Sequence, residues 1–244
     1  MRTSFPHPVS SHSNVTPSRS QPALDGALLS PIALFLIGCG VFGGALFAAT
    51  YLIEGATRPG YDAIQYAISV LSLGPGGWIQ QVNFIVFGAL ALASAVGWRI
   101  ALTPGVGGVW YPVLKAVIGA GLIVDGFFSQ DPVTGYPVGA VVGATTTHAV
   151  VHTLAAFVTI TAIAISCFVL ARRFAVEPRW RGWVIYTILT GVLTIALIAA
   201  FGAANTVAGA PAGLFERLAT GVNTLLSLLI FARLLLDRRA SAHR

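Results

Sequence analysis

The chain has 244 residues, of which 56% are hydrophobic and only 9% are charged. An ordinary globular domain carries about 25% charged residues, so a water-soluble fold is excluded for want of a polar surface. The formal charge of +6 raises the question of nucleic acid, but the thirteen Arg and one Lys sit at the ends of apolar runs and form no stripe. They are a topology signal, and no nucleic-acid partner is expected.

Residues 1–27 are rich in Ser, Pro and His, lack an apolar period and read as a disordered cytoplasmic tail. They are not a signal peptide, because the first apolar run starts near Ala27 and is too long for one. A membrane-spanning helix needs roughly 20 mostly apolar residues. Six runs qualify, at about 28–52, 78–100, 109–128, 147–171, 182–204 and 214–235. The expected fold class is therefore all-α, a polytopic membrane bundle of six transmembrane helices over 28–235, followed by a basic cytoplasmic tail at 236–244.

With the amino terminus inside, every Arg and Lys except Arg58 and Arg217 falls on the cytoplasmic side, Lys115 included. That asymmetry puts both termini in the cytoplasm. Trp78, Trp98, Trp110, Trp180 and Trp183 fall at segment ends, as an interfacial aromatic belt would. Cys39 and Cys167 lie at different depths and read as buried free thiols.

In this orientation Glu54, Arg58, Asp62, Asp125, Asp131, His148, His152, Glu216 and Arg217 gather at or near the extracytoplasmic face. Ionisable groups in or beside spanning helices are expensive and are candidate functional residues. Between the first two helices, Asp62, Gln65, Tyr66, Ser69 and Ser72 fall on one arc of about 120° at helical spacing, with apolar residues on the rest. PGYD supplies a turn with Asp62 as N-cap and GPGG supplies a stop, which predicts a short amphipathic helix of about a dozen residues at the interface.

The fourth helix opens with ATTTHAVVH, placing His148 and His152 at i and i+4 behind Thr145 or Thr146 as N-cap. That spacing lets two imidazoles reach one metal, although two histidines in a membrane helix more often hydrogen-bond to neighbouring helices. Asp131, with Asp125 at similar depth, could complete a three-ligand zinc set with an open position for water. Thr187, Thr190 and Thr194 share a face of the fifth helix, and Glu216, Thr220, Asn223 and Ser227 share one of the sixth. Adjacent Glu216 and Arg217 suggest a local ion pair at the helix start, and Gly40 with Gly44 forms a GxxxG pair for close packing. A bis-histidine haem is disfavoured, because two residues on one face of one helix cannot approach an iron from opposite sides.

The ordered motifs RPGYDAIQYAISVLSLGPGGWIQQVNFIVFGAL, GLIVDGFFSQDP, HAVVH and GLFERL resemble the domain-of-unknown-function 998 family of prokaryotic six-helix membrane proteins. The likeness covers about residues 30–235 and implies a location in a prokaryotic cytoplasmic membrane, with no established activity. HxxxH, with Asp131 and Ser69 or Ser72, also resembles the membrane hydrolases typified by alkaline ceramidases and adipoQ receptors. Those combine a Ser, an Asp and three His around zinc; here the remaining histidines, His7, His12 and His243, are all in the tails.

Two functions follow. One is a non-catalytic membrane protein whose outer polar cluster of Glu54, Arg58, Asp62, Glu216 and Arg217 binds a small molecule, a lipid headgroup or a partner membrane protein. The other is a hydrolase of a lipid-like ester or amide. There His148, His152 and Asp131 hold zinc, and Ser69, Ser72 and Asp125 supply the catalytic groups.

Overall fold

The computed structural model describes Leu24 and residues 29–242. Six α-helices follow one another: α1 (Pro31–Thr57), α2 (Gly77–Leu102), α3 (Trp110–Phe127), α4 (Thr147–Val176), α5 (Val184–Ala204) and α6 (Ala212–Ala242). All six are long and apolar enough to cross a membrane. Even the 18 residues of α3 reach about 27 Å at the helical rise, close to the thickness of a hydrocarbon core. Among the described residues the only β pairing is an isolated bridge between Val133 and Tyr136.

The helix starts follow local chemistry. Ser30 accepts the Ala33 N–H at 3.2 Å ahead of Pro31, and Thr146 accepts the Ala149 N–H at 3.2 Å. Each satisfies a backbone donor that has no partner inside its own helix. Several helices run further than the hydropathy runs: α1 reaches Thr57, α4 reaches Val176, and α6 continues through most of the expected 236–244 tail. Backbone hydrogen bonding carries a helix past the apolar stretch when nothing breaks it.

Consecutive helices pack side by side, and α6 returns to α1, closing the ring. The tightest approaches use small residues, as membrane helices do. A Cβ at Gly40 of α1 would sit 2.5 Å from Ser94 of α2, whereas Gly44 has ordinary room beside Phe87. Polar groups turn inward, with Gln80, Thr187 and Thr194 almost completely buried. The outward faces carry exposed Phe35, Phe42, Leu154, Phe157 and Ile185. This inversion of the soluble pattern suits a lipid solvent, which rewards apolar exposure and penalises unpaired polar groups.

Four tyrosines, Tyr51, Tyr61, Tyr66 and Tyr136, cluster at one end of the bundle. At the other, Arg173 and Glu177 pair at 2.7 Å, and Trp180 stacks on Phe174 at 4.7 Å. These will be called the tyrosine end and the arginine end. Trp98 and Trp180 are buried, whereas Trp78 and Trp110 are exposed, so only part of the expected aromatic belt lies at the surface. Leu24, counted above in the tail, is buried at the arginine end: its carbonyl accepts from Trp180 Nε1 at 2.6 Å and its N–H donates to Glu177 at 3.1 Å. The remainder of 1–27 lies outside the described residues.

The expected interfacial helix between α1 and α2 is not observed. In its place residues 58–76 form turns and a single five-residue 3-10 helix, Ile68–Ser72, and all five residues are buried. The reason is competition for the backbone. Gly213 and Leu214, at the start of α6, donate their N–H groups to Gln65 O at 3.1 Å and Ile64 O at 2.9 Å. Tyr61 and Arg217 claim the next two carbonyls. Carbonyls turned sideways to meet another helix's first turn no longer point along the chain axis, so the segment holds turns rather than a continuous i→i+4 ladder.

Candidate functional site

The tyrosine end is built on that exchange. Gly213 allows the approach, because a Cβ there would meet the Ala63 carbonyl at 2.7 Å and an Arg217 nitrogen at 2.8 Å. Arg217 donates to Tyr66 O and Gly213 O, each at 3.0 Å, and to the Tyr61 hydroxyl at 2.6 Å. Its guanidinium also lies 5.6 Å from the ring centres of both Tyr51 and Tyr61. Glu216 accepts the Ile68 N–H at 2.6 Å. The expected Glu216–Arg217 ion pair is therefore replaced by two separate grips on the loop, since successive helix residues point about 100° apart.

Tyr61 is the hub. Its hydroxyl donates to Ala67 O at 2.8 Å, with Tyr66 O alongside at 3.0 Å, while accepting from Arg217. Burial pushes its phenol well above the ordinary tyrosine range, and Arg217 only partly opposes this. The proton needed for that donation therefore stays in place. Tyr61, Tyr66 and Tyr136 form a three-ring cluster with centroids 5.3 to 5.8 Å apart, and Tyr66 reaches Thr134 O at 3.2 Å. This ties the 58–76 loop to the 129–146 loop. The sequence reading missed this role for tyrosine; Tyr61 and Tyr66 five apart in one loop were the available signal.

Arg58 pairs with Glu54 and ties down the end of the same loop, donating to Leu73 O at 3.2 Å, Pro75 O at 3.1 Å and Gly76 O at 3.0 Å. Beside this pair, α1, α2 and the 75–76 turn bound a shallow groove of about 470 Å³. Glu54 is 6% exposed, and its second carboxylate oxygen has no hydrogen-bond partner. Asp62 stands apart from this pair, exposed, with Oδ1 accepting the N–H groups of Ile64 at 2.8 Å and Gln65 at 3.3 Å in a local turn.

The three expected zinc ligands are not brought together. Asp131 uses both oxygens on Thr146, taking its N–H at 2.8 Å and its hydroxyl at 2.6 Å. His148 is exposed, its ring 5.0 Å from Phe128. His152 is buried, its Nδ1 is 2.7 Å from Phe128 O, and Asp125 lies 3.5 Å away. A carbonyl can only accept, so Nδ1 carries the proton. Among the described residues no group of three or more His, Cys, Asp or Glu could hold a metal. The cause is that i, i+4 spacing aligns Cα positions only: at this helix start one imidazole turns into the bundle and the other outward.

Of the expected catalytic groups, Asp125 joins His152, whereas Ser69 and Ser72 are buried in the 3-10 helix, with the Ser72 hydroxyl spent on Ser69 O at 2.6 Å. That hydroxyl serves its own turn.

The two hydrogen bonds from Thr146 hold the Asp131 carboxyl below the usual carboxylate range. A carboxylate favoured in the folded state stabilises it above the unfolded pKa and stops doing so as pH falls through the lower folded value. The start of α4 should therefore stay closed at neutral pH and begin to fray below about pH 4. Amide protection at Thr146 and Ala149, taken relative to the intrinsic exchange rate at each pH, is expected to fall in that window, and Asp131→Asn should show the lost protection already at pH 7. An equal rate in both proteins at pH 7 would refute this role.

Helices α4, α5 and α6 are joined by Asn223, which donates to Thr194 Oγ1 at 2.7 Å and accepts from the Cys167 thiol at 3.5 Å. Most of the other hydroxyls on these faces, including Thr187, Thr190 and Thr220, return to the carbonyl four residues back. These faces hold helices together, and no ligand need be invoked for them.

No curated protein and no solved structure matches the chain. A family model described as a protein of unknown function, DUF998, matches residues 41–233. That span takes in all of α2 to α5, most of α1 and α6, and both tyrosine-end loops. The chain is a multi-pass membrane protein of the DUF998 family.

Proposed function

We propose that this protein is a non-catalytic lipid-binding membrane protein whose tyrosine end faces the extracytoplasmic side of a prokaryotic cytoplasmic membrane, with both termini inside. Among the described residues, Arg99, Arg172, Arg173, Arg179 and Arg181 are all at the arginine end, whereas only Arg58 and Arg217 are at the tyrosine end. The positive-inside rule then orients the bundle.

The occupant of the groove beside Glu54 is a phospholipid headgroup bearing a primary amine. The carrying observation is the buried Glu54 oxygen that has no partner. A carboxylate oxygen accepts, an ammonium group donates, and a charge-assisted bond of this kind is among the stronger ones. A lipid is favoured over a soluble small molecule or a partner subunit because exposed Ile53 and Ile79 form part of the groove wall, with exposed Leu52 and Trp78 beside them. An acyl chain can follow the apolar flank while the headgroup reaches the carboxylate. Hydrolysis at a zinc site gains no support from geometry, since its three ligands are spread over an exposed ring, a buried ring and a helix cap.

The test uses the full chain, in intact cells for orientation and in nanodiscs for lipid retention. In intact cells, a cysteine near exposed Thr134, in a background lacking Cys39 and Cys167, should react with an impermeant reagent added outside, and one near Glu177, at exposed Ala175, should not. Phosphatidylethanolamine should be retained about tenfold better than phosphatidylcholine, a difference near 1.4 kcal/mol, because a quaternary amine has no N–H to donate. Glu54→Gln keeps the side-chain shape and an acceptor for Arg58, so it should abolish that preference without unfolding the protein. Equal retention of the two lipids by the native protein refutes the headgroup reading, and reversed labelling refutes the orientation.

A further inference from the structure

In the arginine half of the bundle, α1, α2, α3 and α6 enclose a chamber of about 20 Å³ whose lining includes Gly40, Ser94, Trp98, Tyr111, Lys115 and Ser227. Its polar inventory is one-sided. Lys115, about a turn and a half inside α3, makes no ion pair or hydrogen bond with the described residues. The described acids of this end are engaged elsewhere, Glu177 with Arg173, and Asp237 with Arg179 and Arg233. The Ser94 hydroxyl and Tyr111 phenol line the same space and also donate to no described group. Ser227 is already committed, donating to Asn223 O at 3.0 Å.

A half-buried ammonium inside the bundle, with the Cys167 thiol near it and no carboxylate as counter-charge, is costly in a membrane helix. A water molecule would fit, since one needs roughly 10 to 15 Å³ and two to four polar partners, but it would leave the lysine charge uncompensated. An ammonium beside two hydroxyls whose protons reach no described acceptor, in a lining that contains no carboxylate, matches an anion. We propose that this chamber binds one halide-sized monovalent anion, such as chloride, held by Lys115 Nζ and the hydroxyls of Ser94 and Tyr111. Its size bars carboxylates as large as gluconate, so selectivity comes from volume as well as charge. Bound there, the anion ties α2 to α3 through groups that otherwise have no common partner.

The experiment follows the thermal unfolding of the full chain in detergent while sodium gluconate is exchanged for sodium chloride or bromide at constant ionic strength. The native midpoint should rise saturably by about 5 °C with either halide, as mass action on the folded state requires. Line broadening of the chloride NMR signal, reversed by bromide, should report the same site. Lys115→Met should abolish both responses, and Ser94→Ala should weaken halide affinity about tenfold. Should Lys115→Met fail to fold, Ser94→Ala and Tyr111→Phe carry the comparison. A native midpoint indifferent to the three salts would mean that water alone occupies the chamber. An equal halide response in the native protein and the variants would place the effect elsewhere, and either result overturns the proposal.

Discussion

Replacing Arg217 with methionine is expected to destabilise the protein by about 3 kcal/mol and to free the 58–76 loop for proteolysis. The side chain donates to Tyr66 O, Gly213 O and the Tyr61 hydroxyl and lies over two tyrosine rings. Hydrogen bonds from a charged donor contribute about 1.5 to 3 kcal/mol each. Bonds sharing one side chain are not additive, and Tyr61 still reaches Tyr66 O and Ala67 O after the change, so the sum must be discounted. Methionine retains the apolar stem and removes the fork. Arg217→Lys should recover less than half of the loss, because one ammonium cannot span partners that the guanidinium reaches with two nitrogens. The readouts are the unfolding midpoint in detergent and the rate of chymotryptic cleavage after Tyr61 and Tyr66. A variant with a native midpoint and a protected loop would show that the N-terminus of α6 holds the loop without Arg217.

The other large effect is expected at the crossing of α2 and α3. A Cβ at Gly119 would sit 2.7 Å from the Gly88 carbonyl and 2.9 Å from Leu92, and one at Gly88 would sit 2.6 Å from the Gly119 carbonyl. Backbone oxygens cannot rotate out of the way as a side-chain tip can, so the helices themselves must part. Gly119→Leu should cost about 4 kcal/mol, at the upper end for overpacking, and Gly119→Ala about half as much. Gly202 is the control: nothing lies within 4 Å of its Cβ position, and leucine there should change stability by less than about 0.5 kcal/mol. Denaturant titration of the three variants in mixed micelles measures this. Equal tolerance at Gly119 and Gly202 would refute close backbone contact as the device joining α2 and α3.

Much of the architecture was legible in the chain because bilayer thickness acts on composition residue by residue. Runs such as those around Phe42 and Ile195 need no partner to be recognised; a helix there satisfies its own backbone and exposes only apolar side chains. A threonine cap at 145 or 146, which falls to Thr146, and the Gly40–Gly44 pair, of which Gly40 alone packs closely, were readable for the same local reason. Gly88 and Gly119, by contrast, are 31 positions apart, and nothing in either helix announces the other. Lys115 counted as one more flanking cation, although it lines an enclosed chamber.

The tyrosine end shows where local reasoning stops. Periodicity over Asp62 to Ser72 is truly helical, yet α6, 148 residues on from Ile68, takes the carbonyls of Ile64 and Gln65 and the N–H of Ile68. Similarly, His148 and His152 have metal-binding spacing, but rotamers set by Phe128 and Asp125 send one ring outward and one inward. The amino-acid order alone determined six spans and their starts to within about three residues, because those depend on hydrophobicity and helix length. Only the tertiary structure decided which of the polar groups meet. A polar atom inside a membrane protein bonds to whichever partner packing brings within about 3 Å, and that partner is set by helices distant in the chain.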